Sequence, residues 1–422
     1  MKLRVRPSTI EGEVSSSPSK SYTHRAMALA LLAEGSSHLR RPLLSGDTLA
    51  TLSAVKKFGA GTDREGEVLR IDGGRLRCPD DVINVDNSGT TIRIMAGIAS
   101  LLPCITVLTG DESIRRRPMQ PLIDALAELG AECRSTRGNG LAPLLVRGPN
   151  TGTRTHIKGD VSSQFISSLL ISSAVKPVDT EIVLTTPLRS RPYVEITMDM
   201  MARFGVRSEA LPEGFIVPGG QRYTPQDYAV PGDFSSAAFP LMAGALAGHA
   251  RVRHLDRQDR QGDKVVLDIL SRFGAPVHWV GDSVETSRVP LVGNEVDLSQ
   301  APDLFPIVAV MATQAEGVTV IKNAEHVRLK ESDRIAATVD FLRRMGAEVE
   351  ERRDGCVIKG PCPLRGASVD SLADHRILMA AAIATLVAEG ESVITDGDCF
   401  KISYPGFVED MTALGADLEL IP

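Results

Sequence analysis

Residues 17–35 read SPSKSYTHRAMALALLAEG, and this stretch sets the pattern for the rest of the chain. Pro18 and two serines precede a helix, Lys20, Ser21 and Arg25 occupy its opening turns, and an apolar run from Ala26 to Ala33 leads to a terminating Gly35. A helix that is apolar on every side is a buried helix. Its first turn is different, being polar and cationic. Backbone N–H groups at a helix start have no internal partners and carry partial positive charge. A lysine, an arginine and hydroxyls added there make a socket for an anion. Alone, the same residues read equally well as an N-cap with solvated charges; it is their repetition that favours the socket.

A helix ending in an apolar residue, Gly, then Ala or Val recurs six times, at Gly59, Gly130, Gly205, Gly274, Gly346 and Gly415, at intervals of 69 to 75 residues. The residues before each glycine keep helical spacing, as in Ile335, Val339 and Leu342 or Phe407, Met411 and Leu414. The glycine suits a helix end that needs positive φ, and a β-like stretch follows, as in Glu132 to Ser135 and Glu348 to Glu351. The polar-headed apolar helix also recurs six times. Its starts are Ser19-Lys20-Ser21, Asn87-Ser88-Gly89-Thr90, Ser162-Ser163-Gln164, Asp233 to Ser236, Asp303-Leu304 and Asp374-His375-Arg376. Each unit thus holds one buried helix with a polar start and one amphipathic helix ending in Gly, with short strands between. Six units divide into three plus three. Pro, Gly and Ser cluster at Glu13–Pro18 and at Pro225–Asp233, giving domains of residues 14–229 and of 230–422 completed by 1–13, with the Leu3–Arg6 strand crossing over. Two linkers of this kind suit hinge closure. If the buried helices of each half run parallel, their polar starts share one end, and two halves facing each other form an anion-binding cleft.

Composition narrows the chemistry. The chain has 422 residues, 43% apolar and 24% charged, with a net charge of −6 and no basic run, so any anion site must concentrate cations locally against the overall sign. Aromatics at 4% argue against base stacking. The six cysteines, Cys78, Cys104, Cys133, Cys356, Cys362 and Cys399, form no CxxC pair and no zinc spacing. With no signal-peptide pattern in MKLRVRPSTIEG, this predicts free thiols and a cytoplasmic protein. The apolar runs, such as Ile377 to Ala388, fall short of the ~20 residues that span a bilayer.

The candidate site residues lie at the helix starts. VDNSGTTIR, 85–93, supplies Gly89, where backbone can approach a ligand, and Arg93 a turn later. RRRP, 115–118, offers Arg117, whose fork could meet a carboxylate or phosphate, beside Arg115 and Arg116. GDVSSQF, 159–165, supplies Ser162, Ser163 and Gln164, and LRSRPY supplies Ser190, neutral donors suited to a phosphate. Asp303 reads as an N-cap of DLFPIVAVMA. Lys330 and Arg334 in VRLKESDRIAATV stand four apart; on one helical face they repel unless an anion lies between them. Glu331 sits among these cations, able to exchange protons with a substrate if it is partly desolvated. Arg376 and Lys401 extend the cationic rim, while His375 alone reads as structural. There is no metal cluster, Cys/His nucleophile pair, Walker A motif or dinucleotide loop. The residues alone therefore point to a transfer between two small anions, without cofactor.

PSKSYTHR at 18–25, DNSGTTIR at 86–93, RRRP at 115–118, GDVSSQF at 159–165, LKESDR at 329–334, DHR at 374–376 and Lys401 together resemble the 3-phosphoshikimate 1-carboxyvinyltransferase (EPSP synthase) family of enolpyruvyl transferases, from about Arg4 to the C-terminus. The resemblance implies a two-domain inside-out α/β barrel of six βαβαββ repeats, three per domain, with buried parallel helices and short-stranded outer sheets. It implies a reaction in which the 5-hydroxyl of shikimate 3-phosphate attacks C2 of phosphoenolpyruvate while C3 takes a proton. The intermediate then loses a proton and phosphate to leave an enolpyruvyl ether. It assigns Lys20, Ser21, Arg25, Ser162, Ser163, Gln164, Ser190, Asp303 and Lys330 to shikimate 3-phosphate. Lys20, Gly89, Arg117, Gln164, Arg334, Arg376 and Lys401 fall to phosphoenolpyruvate. Asp303, Glu331 and Lys20 are the implied catalytic residues, with Asp303 taking the hydroxyl proton and Glu331 serving C3. One departure is His326, where many relatives carry Asn.

Two rival readings are weaker. The related transferase acting on UDP-N-acetylglucosamine has Lys-Asn where this chain has Lys20-Ser21, and usually a reactive cysteine where it has ESIRRRP. A non-catalytic anion- or RNA-end-binding protein on this scaffold sits poorly with the acidic charge and sparse aromatics. A monomer is expected, using no metal and binding neither nucleic acid nor membrane.

Overall fold

The computed structural model describes residues 1–422. Twelve α-helices alternate between two kinds. In chain order they are α1 (Lys20–Leu32), α2 (Gly46–Lys57), α3 (Gly89–Ala99), α4 (Gln120–Glu128), α5 (Ser163–Ser173), α6 (Arg191–Arg203), α7 (Phe234–Ala247), α8 (Val266–Arg272), α9 (Phe305–Ala312), α10 (Arg334–Arg344), α11 (His375–Leu386) and α12 (Phe407–Ala413). The odd-numbered helices are the apolar ones, and α3, α7, α9 and α11 are buried along their whole length. The even-numbered helices are amphipathic; on α10, Ile335, Val339 and Leu342 face the core. All six ending glycines take positive φ, from 84° at Gly205 to 104° at Gly59, so the repeat reads out as one helix-stop geometry used six times.

The strands form six small sheets, and none closes into a barrel. In the unit spanning 154–217, Arg154–Ile157 pairs parallel with Thr180–Leu184 across α5, and two antiparallel strands, Gly214–Val217 and Glu209–Leu211, follow. This is the βαβαββ repeat. Where a repeat lacks a strand locally, a distant segment supplies it. Asp227–Ala229 pairs parallel with Gly35–Arg40. Ile10–Ser15 pairs parallel with Gly248–Arg253. Lys2–Arg6 lies antiparallel between Ser392–Ile394 and Asp417–Ile421.

The chain forms two compact units, Pro18–Val230 and Met1–Ser17 with Pro231–Pro422, each with its own apolar core. A division after residue 13 would cut the Ile10–Ser15 strand, which belongs whole to the second unit because its ladder partner is Gly248–Arg253. In that unit α7, α9 and α11 run parallel. Arg376 at the start of α11 reaches the carbonyls of Ser235 and Asp303, both 3.4 Å away at the starts of the other two. Their opposite ends, at Ala245–Ala247, Gln314 and Leu386–Ala388, line one cavity of about 860 Å³. No helix is long and apolar enough to cross a membrane.

The expectation of free thiols fails for one pair. Cys78 and Cys104 are disulfide-bonded, 26 residues apart, while the other four cysteines are free. Neither spacing nor motif marks the pair, because it joins the loop after strand Val68–Gly73 to the turn after α3, segments brought together only by folding.

Candidate active site in two clusters

The Pro18–Val230 unit gathers the starts of α1, α3 and α5. Lys20 opens α1, and its ammonium lies 2.9 Å from Asp47 on the first turn of α2. Arg25, one turn further, is 2% exposed. Its guanidinium donates to Thr197 Oγ1 at 2.7 Å, Ser167 Oγ at 3.3 Å, and the carbonyls of Ser21 (2.9 Å) and Tyr193 (3.0 Å). All these partners are neutral. Burial accordingly pushes Arg25 down to about 10, with the neighbouring tyrosines Tyr193 and Tyr22 opposing the shift. A buried cation held by neutral oxygens is a standing demand for an anion.

Gln164 ties α5 to α3. Its Oε1 accepts from Arg93 and its Nε2 donates to Thr90 Oγ1 at 2.7 Å. Of the three consecutive arginines, Arg116 pairs with Glu112 and Arg115 donates to the Gly110 carbonyl. Arg117 turns inward, 7% exposed, donating to Asn87 Oδ1 at 2.7 Å and Ser113 Oγ at 3.0 Å. Gly89 is explained by the same guanidinium: a Cβ there would meet Arg117 Nη1 at 2.8 Å and Arg93 Nη1 at 3.3 Å. The missing side chain makes room for these two arginines rather than only for a ligand. Ser162 caps α5 by accepting from the Gln164 N–H, with Ser163 buried beside it. Ser190, before α6, sits in the left-handed region (φ 52°, ψ 39°) with its hydroxyl not used as a cap. Such strain in a non-glycine residue concentrates at functional sites.

The second unit gathers Asp303, Lys330, Glu331 and Arg376 about Arg334, together with Asp374, which the sequence reads only as part of a helix start. Arg334 opens α10 and is 1% exposed. Its Nε donates to Asp374 Oδ2 at 2.8 Å and its Nη2 to Asp374 Oδ1 at 3.2 Å. Nη1 reaches Asp303 Oδ1 at 2.8 Å, and Nη2 also reaches Glu331 Oε2 at 2.7 Å. Lys330 and Arg376 add contacts of 3.5 Å each to Asp303. Three cations thus meet three carboxylates. Burial alone would push Arg334 down, but Asp374, Glu331 and Asp303 outweigh it and hold the guanidinium above its ordinary range. Asp374 is fully buried, yet Arg334 keeps it below the usual carboxylate range against burial and Glu331. Asp374 also accepts from Ser332 Oγ and caps α11 through the Arg376 N–H.

Two expectations are corrected here. Asp303 is not the N-cap of α9: it lies inside the 3₁₀ turn Pro302–Leu304, Leu304 is the cap position, and the Asp303 carboxylate turns to the cations. Lys330 and Arg334 do not share a helical face, because Asp333 caps α10 at its side chain and leaves Lys330 extended outside it. They still converge, on Asp303. Lys401 is exposed on the turn Cys399–Ile402, which packs against α11, with its ammonium 6.0 Å from the Phe400 ring centroid. His326 is half-buried in the turn Glu325–Leu329. No group of three or more His, Cys, Asp or Glu side chains could hold a metal ion. Asp47 and Asp374 are not legible as site residues in the sequence because each looks like an ordinary acid at a helix start, and their partners lie 27 and 40 residues away.

The chain is similar to known proteins over nearly its whole length. The EPSP synthase (3-phosphoshikimate 1-carboxyvinyltransferase) family profile matches residues 5–411. The 3-phosphoshikimate 1-carboxyvinyltransferase of Methanocorpusculum labreanum is 52% identical over 421 residues, covering 99% of both chains. That of Halobacterium salinarum is 47% identical over 429 residues, covering 99% of this chain and all of the other. Among solved structures, EPSP synthase from Acinetobacter baumannii superposes with a TM-score of 0.84 at 25% identity over the full length of both chains. The enolpyruvyl transferase NikO from Streptomyces tendae gives 0.81 at 19% identity over 99% and 98%, a likeness of fold alone.

Proposed function

The chain belongs to the EPSP synthase family, whose enzymes transfer the enolpyruvyl group of phosphoenolpyruvate to shikimate 3-phosphate, and from that premise we propose how its residues divide the reaction. Arg25, with Ser21, Ser162, Ser163, Gln164 and Ser190, receives the phosphate of shikimate 3-phosphate, with Lys20 at the margin. The observation carrying this is the buried Arg25 guanidinium held only by neutral oxygens, which a dianion would compensate. Gly89, Arg117, Gln164, Arg376 and Lys401 take phosphoenolpyruvate, with Lys20 at its phosphate, where an ammonium stabilises the departing charge.

Asp303 accepts the proton of the attacking hydroxyl, and Lys330 beside it holds both substrates. Glu331, with its side chain 12% exposed, delivers a proton to C3 and takes one back when phosphate leaves. Arg334 is a clamp more than a binding fork. Four of its N–H donations already go to Asp374, Asp303 and Glu331, so a two-pronged grip on phosphoenolpyruvate would require a carboxylate to let go.

The protein works as a cytoplasmic monomer without nucleic-acid or membrane partners, testable by light scattering of the purified chain. The direct test is phosphate release from phosphoenolpyruvate, expected with shikimate 3-phosphate and not with UDP-N-acetylglucosamine.

A further inference from the structure

Lys20 is badly placed for a lysine. It stands at the start of α1, the positive end of the helix, with Arg25 just over a turn away. Its four-carbon stem is flexible and its ammonium strongly hydrated. Both features favour a swing out to water. Yet its side chain is only 17% exposed, and its Nζ lies 2.9 Å from Asp47 Oδ2.

Asp47 is placed by a frame that leaves it little freedom. It sits on the first turn of α2, where a carboxylate is favoured by the helix dipole. That turn is braced by a reciprocal capping box between Ser45 and Thr48, and Thr48 Oγ1 donates to the Leu43 carbonyl at 2.7 Å. The Asp47 carbonyl accepts from Thr91 Oγ1 at 3.4 Å. Thr91, at the start of α3, is 2.6 Å from both Ser88 Oγ and Thr51 Oγ1, and Thr51 Oγ1 is 2.6 Å from His24 Nδ1 on α1. A buried chain of hydroxyls therefore binds the starts of α1, α2 and α3, and Asp47 projects from that chain with its side chain 6% exposed.

We infer that Asp47 is the positioning residue for Lys20: it supplies the counter-charge that holds the ammonium at the helix start, aimed for an incoming phosphate. The inference rests on the proposed reading of Lys20 as a substrate contact and adds to it a residue that acts through Lys20 alone. Because Asp47 is an anion close to an anion site, it works against ground-state affinity. Its contribution therefore shows in turnover rather than in KM.

The test is a double-variant cycle on the full-length enzyme, assayed by phosphate release from both substrates. Asp47→Asn keeps the shape and removes the charge. It is expected to lower kcat about 10- to 100-fold while KM for phosphoenolpyruvate stays within about threefold. Added to Lys20→Ala, the same change is expected to cost less than about twofold more, because the group it positions is gone. Asp47→Glu, which restores the charge one methylene further out, should recover part of the loss. Losses that multiply in the double variant, or a Glu variant as impaired as the Asn variant, would overturn the inference. Should Asp47→Asn misfold by circular dichroism, the Glu variant decides: it must fold and retain more than about a tenth of wild-type kcat, and a larger loss refutes the inference. If Lys20→Ala turns over normally, it is instead the substrate role of Lys20 that fails.

Discussion

Arg25 and Arg334 are both fully buried guanidiniums, 2% and 1% exposed, and the protein treats them in opposite ways. Arg25 leans on two hydroxyls and two carbonyls. Arg334 leans on three carboxylates. One consequence is visible in their acidity, since burial carries Arg25 down to about 10 while the carboxylates lift Arg334 above its ordinary range against burial. The Pro18–Val230 unit thus keeps a buried positive charge with neutral partners, which the proposed function reads as waiting for a substrate anion. The other unit neutralises its buried charge internally and so fixes two carboxylates, Asp303 and Glu331, which the proposed function reads as the proton carriers. The two buried guanidiniums differ in their partners: neutral oxygens for one, carboxylates for the other.

The sharpest way to break that contrast is Glu331→Gln. Turnover should fall by about 10²- to 10⁴-fold, the usual worth of a general acid–base group, while calorimetry finds shikimate 3-phosphate bound nearly as before. Loss of binding instead would make Glu331 part of the binding surface. Next in size is a paired comparison. Asp374→Asn leaves Arg334 buried beside a neutral partner, and denaturation should register a loss of about 3–5 kcal/mol. Arg25→Met removes a buried charge at similar volume and should cost under about 1.5 kcal/mol of stability. It should nevertheless weaken shikimate 3-phosphate binding by at least ~30-fold, about 2 kcal/mol. Equal destabilisation by the two changes would erase the distinction.

Gly89→Ala should act more mildly. A methyl 2.8 Å from Arg117 Nη1 displaces the guanidinium, so KM for phosphoenolpyruvate should rise about tenfold with a smaller change in kcat. An unaltered KM would show that Arg117 gives way without consequence. The smallest effect expected is a pH dependence in the Pro18–Val230 unit. His24 is buried, and burial first, then Lys20 and Arg25, hold its pKa well below 6.5. The unfolded chain therefore binds a proton there that the folded chain does not. Stability is complete above about pH 6.5 and declines as pH falls below it, by up to about 1.4 kcal/mol per unit. Melting temperatures of His24→Asn should show a flatter acid limb than those of the parent.

The sequence by itself determined the helices, their stops and their number. Apolar runs such as Ala26–Ala33, helical spacing such as Ile335-Val339-Leu342, and glycines such as Gly59 and Gly346 act through the nearest few residues, and a repeated local rule is legible without coordinates. It also singled out candidate cations, because polar and charged groups recur at the heads of six buried helices. Only the tertiary structure decided who partners whom. Arg334 finds Asp374 across 40 residues, Lys20 finds Asp47 across 27, Cys78 finds Cys104 across 26, and Lys2–Arg6 finds Asp417–Ile421 at the far end of the chain. The physical reason is one of range. Backbone periodicity is a short-range property carried in order along the chain, whereas charge pairing in a low-dielectric interior depends on distances that exist only once the chain has folded.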